Sequence, residues 1–184
     1  MPNRAFIGIG TNLGDRAANY RDAIARIAQI PETRLVRQSS IYETEPVGEV
    51  KGPFLNGVIE VETEITADVM MRKLLAIERI MGRKRVRGKK PPRGKYRPRV
   101  IDLDLLFFNK EVIDSRILTV PHPRLHERLF VLAPMSELAP ALIHPKLNKS
   151  ISEIMSALKS PFRVSLARAE LLRPQPAKRP ALTR

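Results

Sequence analysis

Cysteine is absent from this chain of 184 residues, and aromatic residues make up only 5% of it. Without cysteine there is no disulfide framework, no thiolate metal site and no cysteine nucleophile, which suits a reducing compartment. The chain also lacks any run of eighteen apolar residues, and its N-terminus has no signal-type apolar segment. We therefore expect a soluble, cytoplasmic protein without a membrane partner.

Positive charge is abundant but unevenly distributed. The net charge is +14, and segment 83–99 alone carries ten basic residues and no acidic one. Residues after 158 carry a further net charge of +6, so the rest of the chain is close to neutral at −2. A chain of this length with 43% hydrophobic residues can build one domain with a sizeable core. We expect a domain over residues 1–160, followed by a basic, proline-rich and disordered tail over 161–184.

The stretch from Arg99 to Phe108 carries the strongest chemical signal. It is apolar and β-branched or aromatic almost throughout, as in a buried strand, yet Asp102 and Asp104 interrupt it. Residues two apart on a strand share a face, so the two carboxylates lie side by side. Adjacent like charges are costly unless a cation lies between them, and Mg²⁺ favours carboxylates together with phosphates. Together with the basic segment 83–99, this pattern indicates a nucleotide–metal site; the alternative is an edge strand with a solvated polar face.

Hydrophobic periodicity predicts the element order β-α-β-β-α-β. The predicted strands cover about 5–10, 33–42, 54–62 and 99–108. One helix is predicted between the first two strands, ending before Pro31, and another from an N-cap at Thr66 to Gly82. Further along, the sequence predicts a hairpin partner at 111–113, a partly helical stretch over 124–139 and a helix that Ser150 caps.

This order predicts an α+β, ferredoxin-like fold. It is the split βαβ (βαββαβ) pattern, an antiparallel sheet of four strands with helices on one face, here followed by a C-terminal hairpin and helix extension. We expect the Asp102–Asp104 strand to be central in that sheet. Loops 43–53 and 83–99 are expected to converge on its free face.

Six stretches of the chain stand in a recognisable series: FIGIGTNLGDR, SSIYETEPVG, FLNGVIEVET, LLAIERIMGR, RPRVIDLDLLFF and TVPHPRLHERLFVLAP. Their sequences and their order resemble the 6-hydroxymethyl-7,8-dihydropterin pyrophosphokinase family of folate biosynthesis, from about Phe6 to Ile154. The resemblance implies transfer of the terminal pyrophosphoryl unit of ATP to the hydroxymethyl oxygen of the pterin, with release of AMP and use of two Mg²⁺. One departure is Lys95-Tyr96-Arg97-Pro98-Arg99, where the family usually has Arg-Trp-Gly-Pro-Arg.

The resemblance also implies roles for individual residues. Asp102 and Asp104 match the metal-binding acids, and the catalytic set adds Arg83, Arg85 and Arg99, which engage the phosphates. The other expected ATP contacts are Glu78, Thr119, His122 and Arg128. The expected pterin contacts are Thr44, Val47, Phe54, Asn56, Asp102 and Phe130, with the two phenyl rings on either side of the pterin.

Other interpretations remain open at this stage. Taken singly, Phe54 and Phe130 are typical core residues, and the arginines of segment 83–99 are typical of a solvated loop. A basic ferredoxin-like module could bind RNA without catalysis. Against this, Asp102 and Asp104 occupy strand positions where stacking aromatic residues would be needed. A regulatory domain that binds small molecules is a third alternative. We expect ATP and the pterin as partners, no specific nucleic acid, and a monomer.

Overall fold

The computed structural model describes residues 1–44, 52–83, 98–160 and 163–167. The longer strands are β1 (Asn3–Thr11), β2 (Thr33–Gln38), β3 (Tyr42–Thr44), β4 (Phe54–Thr63) and β5 (Asp102–Phe108). The shorter ones are β6 (Ile113–Asp114), β7 (Thr119–Val120), β8 (Ile143–His144), β9 (Lys149–Ser150) and β10 (Val164–Leu166). The helices are α1 (Arg16–Ala28), α2 (Ala67–Ile80), α3 (Leu129–Leu138) and α4 (Ile151–Ala157), and a 3₁₀ turn covers Leu125–Glu127. Among the described residues, no helix is long and apolar enough to cross a membrane.

One antiparallel sheet organises the fold. Its strand order is β10-β3-β4-β1-β5, and β2 also pairs with β4. Within the described chain β5 pairs only with β1 in this sheet, so the expectation that the strand carrying Asp102 and Asp104 is central is wrong. The next segment leaves the sheet at Asn109, whose φ is 49°. The predicted hairpin between residues 111–113 and the strand of Asp102 and Asp104 is also wrong, because β6 pairs with β7 and not with β5.

Helices α1 and α2 cover one face of the sheet. Ala23 and Ile27 of α1 and Leu74 of α2 are buried against Ile7 and Leu103 of the sheet. Each helix begins at a side-chain cap, since Asp15 accepts a hydrogen bond from the N–H of Ala18 at 2.9 Å and Thr66 from that of Val69 at 3.5 Å. The predicted N-cap at Thr66 is therefore confirmed.

Helices α3 and α4 cover the opposite face, which the sequence analysis left free. The register between β1 and β5 shifts at a β-bulge, so Leu106 and Phe107 both point into this second core. Leu132 of α3 and Ile151 of α4 pack against them. The Ser150 capping box at the start of α4 is confirmed. Pro134 lies inside α3 rather than in its first turn.

The C-terminal segment also contributes to the sheet. The sequence analysis assigns 161–184 to a disordered tail, but Val164–Leu166 form β10 and pair antiparallel with β3. Val164 pairs with Thr44 and Leu166 with Tyr42. The tail prediction is therefore wrong at these three residues; residues 168–184 lie outside the described part of the chain.

Candidate active site

A cavity of about 420 Å³ lies between the sheet and α3, and two glycines of β1 leave room for it. Gly10 pairs with Asp102 and Gly8 with Asp104 across the β1–β5 ladder. A Cβ atom at Gly10 would lie 3.2 Å from Asn56 Oδ1, and one at Gly8 would lie 3.4 Å from the Leu106 side chain. Because glycine has no side chain, these two positions leave the space between the two carboxylates and β4 unfilled.

Two arginines neutralise Asp102 at one end of the cavity. Arg83 Nη1 donates to Asp102 Oδ1 and to Glu78 Oε1, while Arg99 Nη1 donates to Asp102 Oδ2. Glu78 is only 1% exposed, and its Oε1 also accepts a hydrogen bond from the N–H of Leu103 at 2.9 Å. The buried Glu78 thus ties Arg83 to the strand that carries Asp102, because a buried carboxylate needs both charge and hydrogen-bond partners.

Asp104 has looser partners. Its Oδ2 lies 3.5 Å from Arg128 Nη1 and 3.9 Å from His122 Nε2. Burial and the neighbouring negative charge of Asp102 raise the pKa of Asp104 to about 7. Burial and the positive charge of Arg128 lower the pKa of His122 to about 4, so its imidazole is neutral at pH 7. Asp104 is therefore the carboxylate whose negative charge the described side chains compensate least.

The other end of the cavity combines a buried amide with aromatic rings. Thr44 and Asn56 are both 6% exposed, and Asn56 Nδ2 donates to Thr44 Oγ1 at 2.9 Å. Phe54 of β4 and Phe130 of α3 line the same cavity. The Arg128 guanidinium lies 5.8 Å from the centre of the Phe130 ring. This end can accept a flat, polar heterocycle, since rings stack on phenyl groups and an amide offers both donor and acceptor.

The turn after β1 holds Arg99 in position. Asn12 Oδ1 accepts a hydrogen bond from the backbone N–H of Arg99 at 2.7 Å. The Arg99 carbonyl accepts from the N–H groups of Asn12 at 3.1 Å and Leu13 at 3.2 Å. Thr11 Oγ1 donates to the Val100 carbonyl at 2.6 Å. The sequence analysis gave residues 11–15 no role and did not identify this clamp, the set of hydrogen bonds that holds the end of the basic segment.

The cavity brings together most of the residues that the sequence analysis selected. Those that line it are Thr44, Phe54, Asn56, Arg83, Arg99, Asp102, Asp104, His122, Arg128 and Phe130. Glu78 reaches the site through its bond to Arg83. Thr119 is not among the residues that line this cavity; it belongs to the β6–β7 hairpin, where its Oγ1 donates a hydrogen bond to Asp114 Oδ1 at 3.2 Å, and its contact with ATP stays a prediction. Val47 and Arg85 lie outside the described residues.

Sequence reasoning did not select several of the residues that line the cavity, among them a charged pair near His122 and two residues of the C-terminal segment. Arg124 and Glu127 form an ion pair of 3.3 Å at its edge, and Ser160 and Val164 come from the C-terminal segment. The charged pair gives no sequence signal beyond its position near His122. Val164 reaches the cavity only through strand pairing, which no local pattern indicates.

Asp102 and Asp104 are the residues that could hold Mg²⁺. Both offer hard carboxylate oxygens from one face of a strand, which is the donor type that this ion prefers. Within the described ranges, no cluster of three or more histidine, cysteine or acidic side chains forms a metal cage. The two carboxylates therefore fit an ion whose remaining ligands are water and substrate phosphate rather than protein.

Comparisons with known proteins point to one family. A family model described as 7,8-dihydro-6-hydroxymethylpterin-pyrophosphokinase (HPPK) matches residues 6–140. The 2-amino-4-hydroxy-6-hydroxymethyldihydropteridine pyrophosphokinase of Bacillus subtilis is 42% identical over 139 residues, which are 75% of this chain and 79% of that protein. The protein of the same name from Methylorubrum extorquens is 37% identical over 141 residues, covering 76% of this chain and 85% of the relative.

Longer relatives match over one part of their length. Folic acid synthesis protein fol1 of Schizosaccharomyces pombe is 36% identical over 157 residues, which are 85% of this chain but 20% of fol1. A crystal structure of an HPPK-DHPS in complex with substrates has a TM-score of 0.66 at 15% identity, covering 85% of this chain and 43% of that one. At this identity the likeness shows the fold alone, a mixed arrangement of helices and antiparallel sheet. The match over residues 6–140 and the identity to the bacterial relatives place the chain in a family: it belongs to the 7,8-dihydro-6-hydroxymethylpterin-pyrophosphokinases.

Proposed function

We propose that this chain transfers pyrophosphate from ATP to the hydroxymethyl group of 6-hydroxymethyl-7,8-dihydropterin and releases AMP, a step of folate biosynthesis. Membership of the pyrophosphokinase family supports this reaction. One observation of the structure carries it: Asp102 and Asp104, with Arg83, Arg99 and Arg128 beside them, line the same cavity as an amide and two phenyl rings. These are the groups that a polyphosphate and a flat heterocycle require.

The arginines are the phosphate-binding groups in this proposal. Arg83 and Arg99 contact Asp102, and Arg128 lies near Asp104, so all three guanidiniums face the carboxylate pair. Guanidiniums hold phosphate oxygens with two parallel hydrogen bonds, which fixes the orientation of the polyphosphate as well as its charge. Transfer of a phosphoryl-type group depends mainly on such positioning and charge stabilisation, so no covalent protein group is needed.

Asp102 and Asp104 would hold Mg²⁺, and we propose two ions. When bound there, Mg²⁺ neutralises phosphate charge and favours ionisation of the attacking hydroxyl group. The chain itself supplies the negative sites, and through Arg83 and Arg99 it supplies positive charge on the side of Asp102. The neutral imidazole of His122 offers a hydrogen bond rather than a charge near the phosphates.

The aromatic and amide groups are the pterin-binding residues. Phe54 and Phe130 would stack on the two faces of the ring at little entropic cost. Asn56, steadied by its bond to Thr44, would pair with the polar edge of the ring. This assignment places the hydroxymethyl group towards Asp102 and the phosphates. Val47 and Arg85 belong to the same proposed site by resemblance alone.

We also infer the finer features of the protein. The order β5-β1-β4, with β2 and β3 both paired to β4, supports a ferredoxin-like split βαβ fold. ATP is the proposed co-substrate. The proposed working form is a cytoplasmic monomer without a specific nucleic-acid partner. A pyrophosphokinase domain over residues 1–160, completed by β10, precedes the remaining tail.

The experiment that tests the reaction measures AMP formed from ATP and Mg²⁺, with and without 6-hydroxymethyl-7,8-dihydropterin. We expect AMP only when the pterin is present, together with the pyrophosphorylated pterin in equal amount. Release of ADP would indicate a different transfer. No turnover together with tight RNA binding would favour the RNA-binding module that the basic segments first suggested.

A further inference from the structure

Strand β10 lies beyond the residues that match the family. The match ends at residue 140, whereas β10 covers Val164–Leu166. It is the terminal strand of the sheet order, and the chain reaches it only after α4. Any role of β10 at the cavity is therefore separate from the motifs by which the family is recognised.

Backbone pairing fixes β10 to β3. Val164 pairs with Thr44, and beyond the strand the N–H of Ala167 donates to the Ile41 carbonyl at 2.8 Å. The strand also contacts α3, the helix that carries Phe130. It thus lies next to both elements that supply Thr44 and Phe130.

Strand β3, with which β10 pairs, is itself hydrogen-bonded to α3. The carboxylate of Glu137 accepts hydrogen bonds from the Tyr42 hydroxyl and from the N–H of Ser40, the latter at 2.8 Å. On the other side, Arg16 bonds Glu43 at 2.9 Å and the Pro53 carbonyl at 2.8 Å. These hydrogen bonds attach β3, the pairing partner of β10, to its neighbours on both sides.

Two residues of β10 make a natural comparison. Val164 and Leu166 point to the same side of the strand, since they are two residues apart. Val164 is half-buried and lines the cavity, whereas Leu166 is 62% exposed and does not line it. Side chains that face each other on paired strands lie about 5 Å apart, so Val164 places two methyl groups beside Thr44.

We propose that β10 forms a wall of the pterin end of the cavity and that Val164 is a pterin-binding residue. The inference rests on the proposed function, because it assigns this end of the cavity to the pterin. Val164 supplies an apolar surface next to the polar pair of Thr44 and Asn56, which limits the width of the ring that fits. The phosphate end, with Arg83 and Arg99, is not part of this wall.

The test uses four variants of the full chain: Val164→Ala, Val164→Phe, Leu166→Ala and Leu166→Phe. Pterin binding is measured from pterin fluorescence in the presence of Mg²⁺ and a non-hydrolysable ATP analogue, and analogue binding is measured separately. We expect Val164→Ala to weaken pterin binding up to about tenfold, the value of one or two lost methyl contacts. Val164→Phe fills the cavity and should weaken it further. Both Leu166 variants and all analogue affinities should stay within about twofold of the unaltered chain.

Two results would overturn the proposal that Val164 binds the pterin. The first is that Val164→Ala and Val164→Phe bind the pterin with the same affinity as Leu166→Ala and Leu166→Phe. The other is a parallel loss of pterin and analogue binding, which would mean that Val164 serves the fold in general. Failure of the proposed function is separately visible: in that case the unaltered chain would neither bind the pterin nor form AMP from it, and this inference would fall with it.

Discussion

Asp102 and Asp104 share one face of one strand, yet their surroundings differ. Both oxygens of Asp102 accept hydrogen bonds from arginine, whereas Asp104 has Arg128 at 3.5 Å and His122 at 3.9 Å. A raised pKa marks Asp104 as a carboxylate in need of a positive partner. At the scale of single residues, this asymmetry favours Asp104 as the group that gains most from a bound cation.

Replacing Asp104 by alanine should therefore abolish turnover without unfolding the chain. We expect a loss of at least about 10³-fold in the rate of AMP formation, the size of effect that follows the loss of several kcal/mol of charge stabilisation. The fold should persist because Asp104 makes only two long polar contacts in the described structure. A coupled AMP assay measures the loss of turnover, and circular dichroism checks that the fold is retained. Near-normal turnover would rule out the metal assignment.

The stability of the metal-free protein should reveal the same carboxyl group. Its pKa rises from 3.8 to about 7 on folding, so between these values the folded protein holds a proton that the unfolded chain has lost. The free energy of unfolding due to Asp104 is thus highest below about pH 4 and falls as the pH rises through about 7. The pKa of His122 is lowered to about 4 on folding, so its effect on stability has the opposite sign. The free energy of unfolding due to His122 falls as the pH drops from about 6.5 towards 4.

Comparing the unaltered chain with Asp104→Asn isolates the carboxyl contribution. We expect the variant to be more stable at pH 7 by about 1–2 kcal/mol, a value reduced for the partial exposure of the group, and equally stable near pH 3.5. Urea unfolding in the presence of EDTA across this range measures both. A variant that is less stable at pH 7 would show that Asp104 is well compensated without a metal.

Much of the site could be predicted because its residues lie in short motifs whose local pattern carries the chemistry. Asp102 and Asp104 are two apart on a strand, and the amide and phenyl groups of Asn56 and Phe54 lie on β4. Asn12 and Val164 could not be predicted in this way. Each acts through a partner far along the chain, Arg99 and Thr44 respectively, and no local periodicity encodes such pairings.

At the scale of elements, the sequence predicted the kinds of segment better than their partners. Alternation and capping residues indicated β1, β4, β5, α1 and α2, since these signals are local. The place of β5 in the sheet depends on long-range pairing: β4 occupies one edge of β1, so β5 pairs with the edge of β1 that remains. The second core likewise follows from the bulge at Leu106, which turns two consecutive apolar side chains to one face.

The turn after β1 gives a prediction at this scale. Asn12→Ala removes the acceptor for the Arg99 N–H and should lower kcat about tenfold by displacing the Arg99 guanidinium, with little change in pterin KM. Asn12→Asp keeps an acceptor oxygen at this position and should retain most of the activity. Arg99→Ala, which removes the guanidinium itself, should cost more than either. Full activity in Asn12→Ala would mean that Arg99 does not need the clamp.

For the whole molecule, the net charge of +14 comes from segment 83–99 and from the residues after 158. The two cores are apolar, and the described arginines of the cavity are partly matched by Asp102, Asp104 and Glu78. An anionic substrate must therefore compete with the protein's own carboxylates for the guanidiniums. When a phosphate replaces Asp102 as the partner of a guanidinium, Asp102 loses that partner. Because Asp102 is also a proposed pterin contact, phosphate binding and pterin binding are linked.

This competition predicts the order of substrate binding. Arg83 and Arg99 donate hydrogen bonds to the two carboxylate oxygens of Asp102. Phosphates that attract these guanidiniums release Asp102 towards the pterin and the metal, so pterin affinity should rise at least about tenfold when Mg²⁺ and an ATP analogue are present. Reciprocity requires the pterin to tighten analogue binding by the same factor. In an Arg83→Gln, Arg99→Gln double variant the coupling should shrink, because Asp102 is then free from the start, whereas equal pterin affinity with and without nucleotide in the unaltered chain would refute the exchange.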